Sequence, residues 1–122
     1  MILADTSVWV DHIRHADADL IKALQANNIL THPYVIGEVA MGNLPRRAVF
    51  IRNMRRLPSA LLATDDEAMS LLEREGLFGQ GIGYVDLHLL AATRLTPGAT
   101  LLTRDRRLES MAVRLGLAAP SA

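Results

Sequence analysis

The segment ILADTSVW (residues 2–9) joins a short apolar run to an acidic residue, and this junction indicates how the chain folds. The apolar run predicts a buried strand that ends at Asp5, and the Thr6-Ser7 pair can cap the helix that follows. A similar junction follows residues 100–103, where Asp105 precedes another helical segment. Strands that alternate with helices favour a parallel sheet with helices on both faces, and the carboxyl ends of its strands then lie along one edge.

The remaining sequence continues this alternation. Apolar periodicity and capping signals predict further strands at 29–32, 61–63 and 100–103, and helices at about 17–26, 33–41, 46–57, 64–76 and 84–95, with a last helix through 108–115. The glycine-rich loop at residues 76–83 lacks the signature of a P-loop or a dinucleotide site and reads as a flexible rim near Asp86. We therefore predict a three-layer α/β/α fold with a short-stranded, mainly parallel central sheet.

Length and composition indicate one domain over residues 1–122. Half of the 122 residues are apolar, which suffices for one core, and the chain is too short for two. There is no cysteine, so a disulfide framework and a thiolate zinc site are excluded. No basic region precedes the first apolar run, and no stretch approaches the roughly 20 uncharged residues of a membrane span. We therefore expect a cytoplasmic protein without membrane attachment.

Four acidic residues fall at a strand-to-helix junction or just inside a helix: Asp5, Glu38, Asp86 and Asp105. Each one alone has an ordinary explanation as a helix cap, a dipole acid or a solvated side chain. Together they predict an acidic pocket at the carboxyl edge of the sheet, where open parallel sheets carry their sites. Carboxylates gathered there repel one another unless a cation joins them. Mg²⁺ or Mn²⁺ is the fitting ion, because hard cations prefer oxygen ligands.

Hydroxyl side chains beside the predicted pocket suit the same chemistry. Thr6, Ser7 and Thr103 can orient waters or neighbouring carboxylates through hydrogen bonds. Divalent ions held by the acids would activate water for phosphodiester hydrolysis and stabilise the leaving oxygen. The four histidines show no metal-ligand spacing, and Asp65 reads as a capping acid, so neither is assigned to the site.

The distribution of the arginines suggests a polyanionic partner, although the net charge is zero. Two groups of arginines stand out: Arg46, Arg47, Arg52, Arg55 and Arg56 in one, and Arg104, Arg106 and Arg107 around Asp105 in the other. Arginine suits bidentate phosphate contacts, so these groups could hold a polyanion across the acidic centre. A solvated helix face or a subunit contact explains the first group equally well.

These motifs together resemble a PIN domain, specifically the small VapC-type ribonuclease toxins of bacterial toxin–antitoxin pairs. The resemblance rests on ILADTSVW at 2–9, IGEV at 36–39, GYVDLHLLAA at 83–92 and TRDRRL at 103–108. It implies Mg²⁺- or Mn²⁺-dependent endonucleolytic cleavage of RNA by metal-activated water. The acidic quartet of the family carries over onto Asp5, Glu38, Asp86 and Asp105, and its hydroxyl onto Thr6 or Ser7. Arg106 and Arg107 stand where many relatives carry a further acid.

The resemblance also implies partners. Relatives act as cytoplasmic homodimers, in some cases within a larger toxin–antitoxin assembly, and a cognate antitoxin blocks them with a tail that can project an arginine toward the acidic pocket. RNA is the implied substrate, and Arg46, Arg47, Arg104 and Arg106 are the candidate RNA contacts in this sequence.

Three other classes compete with this interpretation. A phosphorelay receiver domain needs a lysine at the edge of the last strand, and the one lysine, Lys22, lies in the second helix. A haloacid-dehalogenase-like phosphatase needs an aspartate two residues after the first, where Ser7 stands. A PIN-like module that binds RNA or a partner without cutting is the remaining alternative, and the intact acidic quartet argues against it.

Overall fold

A three-stranded parallel sheet lies at the centre of the computed structural model, which describes residues 1–120. Its strands are β1 (Ile2–Ala4), β2 (Ile29–Leu30) and β3 (Thr100–Leu102), in the order β2-β1-β3. Leu3 of β1 is in register with Leu30 on one side and Leu101 on the other. Helices flank this sheet, which confirms the predicted α/β fold class.

Seven helices connect and cover the strands within residues 1–120. They are α1 (Thr6–His15), α2 (Ala18–Gln25), α3 (Pro33–Ala40), α4 (Arg47–Arg55), α5 (Asp65–Glu75), α6 (Tyr84–Leu95) and α7 (Arg106–Arg114). None of these helices is both long enough and apolar enough to cross a membrane. The predicted helices are all present, with ends that shift by a few residues.

The core forms where β1 and α6 meet. Leu3 and Ala4 are fully buried, because a central parallel strand is covered on both faces. In α6 every residue from Leu87 to Thr93 is buried, so this helix lies inside the domain rather than on its surface. Leu108 of α7 is also fully buried. The acid-bearing ends of β1, α6 and α7 are therefore fixed by the best-packed part of the molecule.

The strand predicted at residues 61–63 is wrong. Leu61 and Leu62 are 55% and 56% exposed and belong to no strand. The sheet edge is extended slightly earlier instead, where Ser59 forms an isolated parallel bridge with Thr31. Beyond this bridge the backbone turns away, and the Leu61 amide donates to the side chain of Thr96 at 2.9 Å. A short apolar run next to a helix start was mistaken for a buried strand.

Capping explains the helix boundaries near the glycine-rich loop. Thr64 and Glu67 form a reciprocal capping box at the start of α5, as its sequence predicts. Gly76 ends the same helix in the left-handed conformation, with φ at 60°. Gly81 combines a φ of 79° with a close neighbour, because an added Cβ would lie 2.7 Å from the Arg107 side chain. The loop at 76–83 thus lies against α7 as well as leading into α6.

Candidate functional site

Asp5 lies at the end of β1 and caps α1. It is 5% exposed, and its amide donates to Leu102 of the neighbouring strand. Its Oδ1 accepts from the Ser7 hydroxyl at 2.5 Å, and its Oδ2 accepts from the Thr103 hydroxyl at 2.7 Å. Burial raises the pKa of Asp5, these hydrogen bonds oppose the rise, and repulsion from Asp86 adds to it. Hydroxyl groups, rather than a charged partner, hold this carboxylate in place.

A ladder of hydroxyl groups joins Asp5 to the loop before α7. The Ser7 hydroxyl accepts from the backbone amide of Arg104 at 2.9 Å. The Thr103 hydroxyl accepts from the amide of Asp105 at 3.0 Å while it donates to Asp5. The ends of β1 and β3 are therefore tied together by two short side chains, at the positions that the sequence singled out.

Glu38 lies on α3 and is held from α1. The Thr6 hydroxyl donates to its Oε1 at 2.6 Å. The sequence left open whether Thr6 or Ser7 acts next to the first acid. In the structure the two hydroxyls serve different acids, since Thr6 binds Glu38 and Ser7 binds Asp5.

Asp86 occupies the first turn of α6 and is half-buried. Its Oδ2 accepts from the backbone amide of Gly83 at 3.1 Å. Burial is the largest cause that raises the pKa of Asp86, and the charges of Asp105 and Glu38 raise it further. Asp86 is therefore coupled by charge repulsion to each of the three other acids of the predicted quartet.

Asp105 is the N-cap of α7, and its Oδ1 accepts from the amides of Arg107 and Leu108 at 2.9 and 3.0 Å. The ordinary explanation of this residue as a helix cap is therefore true. It does not remove the carboxylate from the pocket, because Asp105 still repels the charge of Asp86. One side chain both begins a helix and contributes negative charge.

No positively charged side chain in residues 1–120 pairs with any of the four acids. The ion pairs found there involve Asp65, Glu75, Asp17 and Asp19 instead. Nor do three or more His, Asp or Glu residues in the described part of the chain come close enough to bind one metal ion by themselves. The arrangement fits a hydrated ion that two carboxylates hold, because Mg²⁺ commonly takes one or two carboxylates and completes its shell with waters and substrate phosphate.

The predicted RNA-contacting arginines are placed differently from one another. Arg104 is occupied, since its guanidinium contacts both oxygens of Asp17 and reaches Asp19 at 2.8 Å. Arg47 donates to the carbonyl of Ala40 from two nitrogens. Arg46 and Arg106 are exposed. Arg104 thus anchors the loop before α7 to the start of α2, which lowers the pKa of Asp17 even though burial opposes this effect.

A polar and aromatic cluster that was not predicted from the sequence joins α3, α5 and α6. Asp65 lies in the first turn of α5, as predicted for a dipole acid, and its Oδ1 also accepts from the Tyr84 hydroxyl at 2.9 Å and lies 3.1 Å from His88 Nε2. His88 is 2% exposed, and so is His32, whose Nδ1 accepts from the Tyr34 amide at 3.0 Å. The four-residue spacing of Tyr84 and His88 on α6 was the available signal.

Comparison with known proteins agrees with the sequence motifs. The PIN domain family model matches residues 2–114. Ribonuclease VapC32 of Mycobacterium tuberculosis, in the strains CDC 1551 / Oshkosh and ATCC 25618 / H37Rv, is 42% identical over 118 residues, which covers 97% of this chain and 95% of the relative. The match therefore extends over all the elements that carry the acidic residues. The chain belongs to the PIN domain family and groups with its VapC-type members.

Proposed function

We propose that this protein is a Mg²⁺- or Mn²⁺-dependent endoribonuclease and the toxin of a toxin–antitoxin pair. Family membership and the name of its relative, a ribonuclease, support the reaction class. The observation that carries the proposal is a set of mutually repelling carboxylates, with Asp5 and Asp86 at its centre, that no cationic side chain in residues 1–120 neutralises. A bound cation would relieve this repulsion.

Asp5 and Asp86 are the residues proposed to hold the ion directly. Both are at least partly buried, both have a raised pKa, and repulsion between them contributes to the rise at Asp5. Ser7 and Thr103 orient Asp5 by donating one hydrogen bond to each of its oxygens, and a carboxylate oxygen with one donor keeps a lone pair for a cation. When bound, the ion supplies a Lewis acid that activates water and stabilises charge on the phosphate.

Glu38 and Asp105 are proposed to act from the exposed rim of the pocket. Glu38 is exposed and fixed by Thr6, and Asp105 is exposed and fixed by the helix start that it caps. Carboxylates in such positions can orient waters of the ion and accept a proton from them. Arg46 and Arg106 remain candidates for phosphate contacts, since both guanidinium groups are exposed, whereas Arg104 is engaged by Asp17 and Asp19.

The partners are part of the proposal as well. We expect a cytoplasmic, single-domain homodimer that a cognate antitoxin inhibits, in some conditions within a larger assembly. Exposed apolar side chains are available for such contacts, among them Met41 (88%), Leu61 (55%) and Leu62 (56%). Sedimentation of the purified protein alone and of the protein co-expressed with its antitoxin measures both associations.

Cleavage of a mixed pool of structured RNAs tests the reaction. The pool is incubated with purified, antitoxin-free protein in the presence of Mg²⁺, Mn²⁺ or EDTA. Asp5→Asn is the test variant, and Asp11→Asn is the matched control, because Asp11 is an exposed acid on the same helix. We expect cutting that requires metal, survives Asp11→Asn and disappears in Asp5→Asn. A fully active Asp5→Asn protein contradicts the proposal, and RNA binding without cleavage favours a non-catalytic binding module.

A further inference from the structure

Both tyrosines of the chain meet at one place on the surface. Tyr34 of α3 is 41% exposed and Tyr84 of α6 is 49% exposed. Their rings pack edge-on against the same buried ring, His88, with centroid distances of 5.2 Å and 4.7 Å. Each tyrosine therefore keeps a large exposed surface beside its contact with His88. We call these three residues the tyrosine platform.

The platform is held rigidly. The Tyr84 hydroxyl donates to Asp65 Oδ1 at 2.9 Å, and His88 Nε2 lies 3.1 Å from the same oxygen. Tyr34 also contacts the buried His32, with a centroid distance of 5.0 Å. An aromatic ring that is already fixed loses little conformational freedom when a ligand stacks on it. Exposed rings held in this way are suited to recognition rather than to filling the core.

The platform adjoins the acidic pocket through the same two helices. Tyr34 lies one helical turn before Glu38 on α3, so the two side chains share a face. On α6, Tyr84 precedes Asp86 by two residues, so these two side chains do not share a face, and the link to the pocket runs through Tyr34 and Glu38. Glu38 and Asp86 are near enough to repel each other, just as Tyr34 and His88 are near enough to touch. The same two helices therefore carry both the ring contact of Tyr34 with His88 and the electrostatic coupling of Glu38 with Asp86.

We propose that the tyrosine platform stacks an unpaired base of the RNA next to the scissile phosphate. This inference rests on the proposed ribonuclease function. Asp65 is bonded to the platform and Glu38 lies one helical turn from Tyr34, so the surroundings of the platform disfavour a phosphate and favour an uncharged, planar group. A splayed base has that chemistry, and single-stranded RNA is commonly recognised by stacking of such bases on aromatic side chains. Stacking there would set which nucleotide presents its phosphate to the acids.

The test combines ring removal with base removal. The cut in a single-stranded RNA is first mapped with the wild-type protein, and RNAs with an abasic nucleotide at each position beside the cut are then prepared. The variants are Tyr34→Ala, Tyr84→Ala and Tyr84→Phe, which keeps the ring and loses the bond to Asp65. Leu95→Ala is the matched control, because Leu95 is a partly exposed apolar residue roughly 16 Å away along α6.

The two alanine variants should each weaken RNA binding by on the order of 10- to 100-fold, since loss of one stacked base contact has effects of that size. Leu95→Ala should bind as the wild type does, and Tyr84→Phe, which keeps the ring but loses the bond to Asp65 that helps to fix it, should lose less affinity than Tyr84→Ala. On RNA that is abasic at the stacked position, Tyr84→Ala and wild type should become equal. Equal binding of Tyr84→Ala and wild type to intact RNA overturns the inference, and so does an identical loss on every abasic RNA.

Binding measured by fluorescence anisotropy, with Ca²⁺ in place of Mg²⁺, separates this inference from the proposed function. Ring-dependent binding in Ca²⁺ together with no cleavage in Mg²⁺ or Mn²⁺ contradicts the nuclease and retains the platform. Cleavage that is indifferent to both tyrosines contradicts the platform and retains the nuclease. Tyrosine variants that bind RNA normally but no longer bind a co-expressed antitoxin assign the surface to that protein and overturn the inference.

Discussion

Two groups of acidic side chains lie on either side of the loop that carries Thr103 and Arg104, and they differ in how their charge is balanced. Asp17 and Asp19 are paired with the guanidinium of Arg104, which contacts both. Asp5, on the other side, is held by hydroxyl groups and faces other carboxylates. The pKa of Asp17 is lowered and that of Asp5 is raised.

The presence or absence of a cationic partner distinguishes the acids that stabilise the fold from those that are available for catalysis. A paired carboxylate stabilises the native state in its charged form, whereas a desolvated, unpaired one destabilises it. Asp5→Asn should therefore leave the fold intact and even stabilise it at neutral pH, while loss of Arg104 should weaken it. Acids that are held at a cost to stability, at the carboxyl edge of a parallel sheet, are candidates for function.

The largest expected effect is on cleavage by variants of the unpaired group. Asp5→Asn and Asp86→Asn should each lower the rate of RNA cleavage by more than about 100-fold, because even residues that only orient metal ligands cost 10- to 100-fold. Thermal unfolding should show a stability equal to or above that of wild type. A loss of activity accompanied by a loss of stability would assign these acids to the fold and contradict the distinction between the two groups.

Thr103→Val should have the next largest effect. It removes the hydroxyl that donates to Asp5 and accepts from the Asp105 amide, so cleavage should fall about 10- to 100-fold. Thr100→Val is the control, since Thr100 lies at the other end of β3. Single-turnover cleavage rates measure both variants. Equal rates for Thr103→Val and wild type would show that the hydroxyl ladder does not position Asp5.

His32 is a buried ionisable side chain that, like Asp5, lacks a countercharge within residues 1–120. It lies just after β2. Burial lowers the pKa of His32 to about 4, and the nearby His88 contributes. Its folded pKa lies below the ordinary value of 6.5, so the unfolded chain binds the proton more tightly and stability falls as pH drops from about 6.5 toward 4. Between pH 7 and pH 5 this loss should be about 2 kcal/mol.

Urea unfolding at the two pH values measures that loss. His32→Asn keeps a side-chain acceptor at the start of α3 and does not titrate, so its stability should change less between pH 7 and pH 5. Asp65, Tyr34 and His88 surround the same region and remain unchanged in this variant. An unaltered pH response in His32→Asn would assign the acid sensitivity to another group.

The smallest expected effect comes from the paired group. Arg104→Ala leaves Asp17 without its partner, and the Asp17 side chain is only 8% exposed. The free energy of unfolding should fall by about 1–2 kcal/mol, since Arg104 is itself partly exposed to solvent. Chemical denaturation measures this loss, with Arg106→Ala as the exposed control. A fall in the rate of RNA cleavage that the loss of stability does not account for would mean that Arg104 acts in the site.

Local sequence signals predicted most of the fold. The capping box at Thr64 and the apolar period of α6 placed those helices correctly, because both signals depend on neighbouring residues. The prediction of a strand at 61–63 was wrong because burial of Leu61 and Leu62 depends on distant elements, and a local pattern holds no information about those elements. The hydroxyl residues beside Asp5 were also found from sequence, but their division between Asp5 and Glu38 required the structure.

Contacts between distant residues explain what the sequence could not predict. The position of Arg104 next to Asp105 predicts an RNA contact, which stays a prediction, whereas its bonds to Asp17 and Asp19 join residues 87 and 85 positions apart and could not be predicted. The tyrosine platform joins residues of α3, α5 and α6. The roles of Asp5, Glu38, Asp86 and Asp105 in binding a metal stay a prediction, supported by their mutual repulsion.

Thermal unfolding with and without Mn²⁺ tests most directly whether the unpaired acids bind a cation. A ligand that binds only the native state stabilises it by about 2.7 kcal/mol at a hundredfold excess over Kd. We predict a rise in Tm with Mn²⁺ for wild type and for Asp17→Asn, and a much smaller rise for Asp5→Asn and Asp86→Asn. No rise in wild type, or the same rise in Asp5→Asn, would contradict the account.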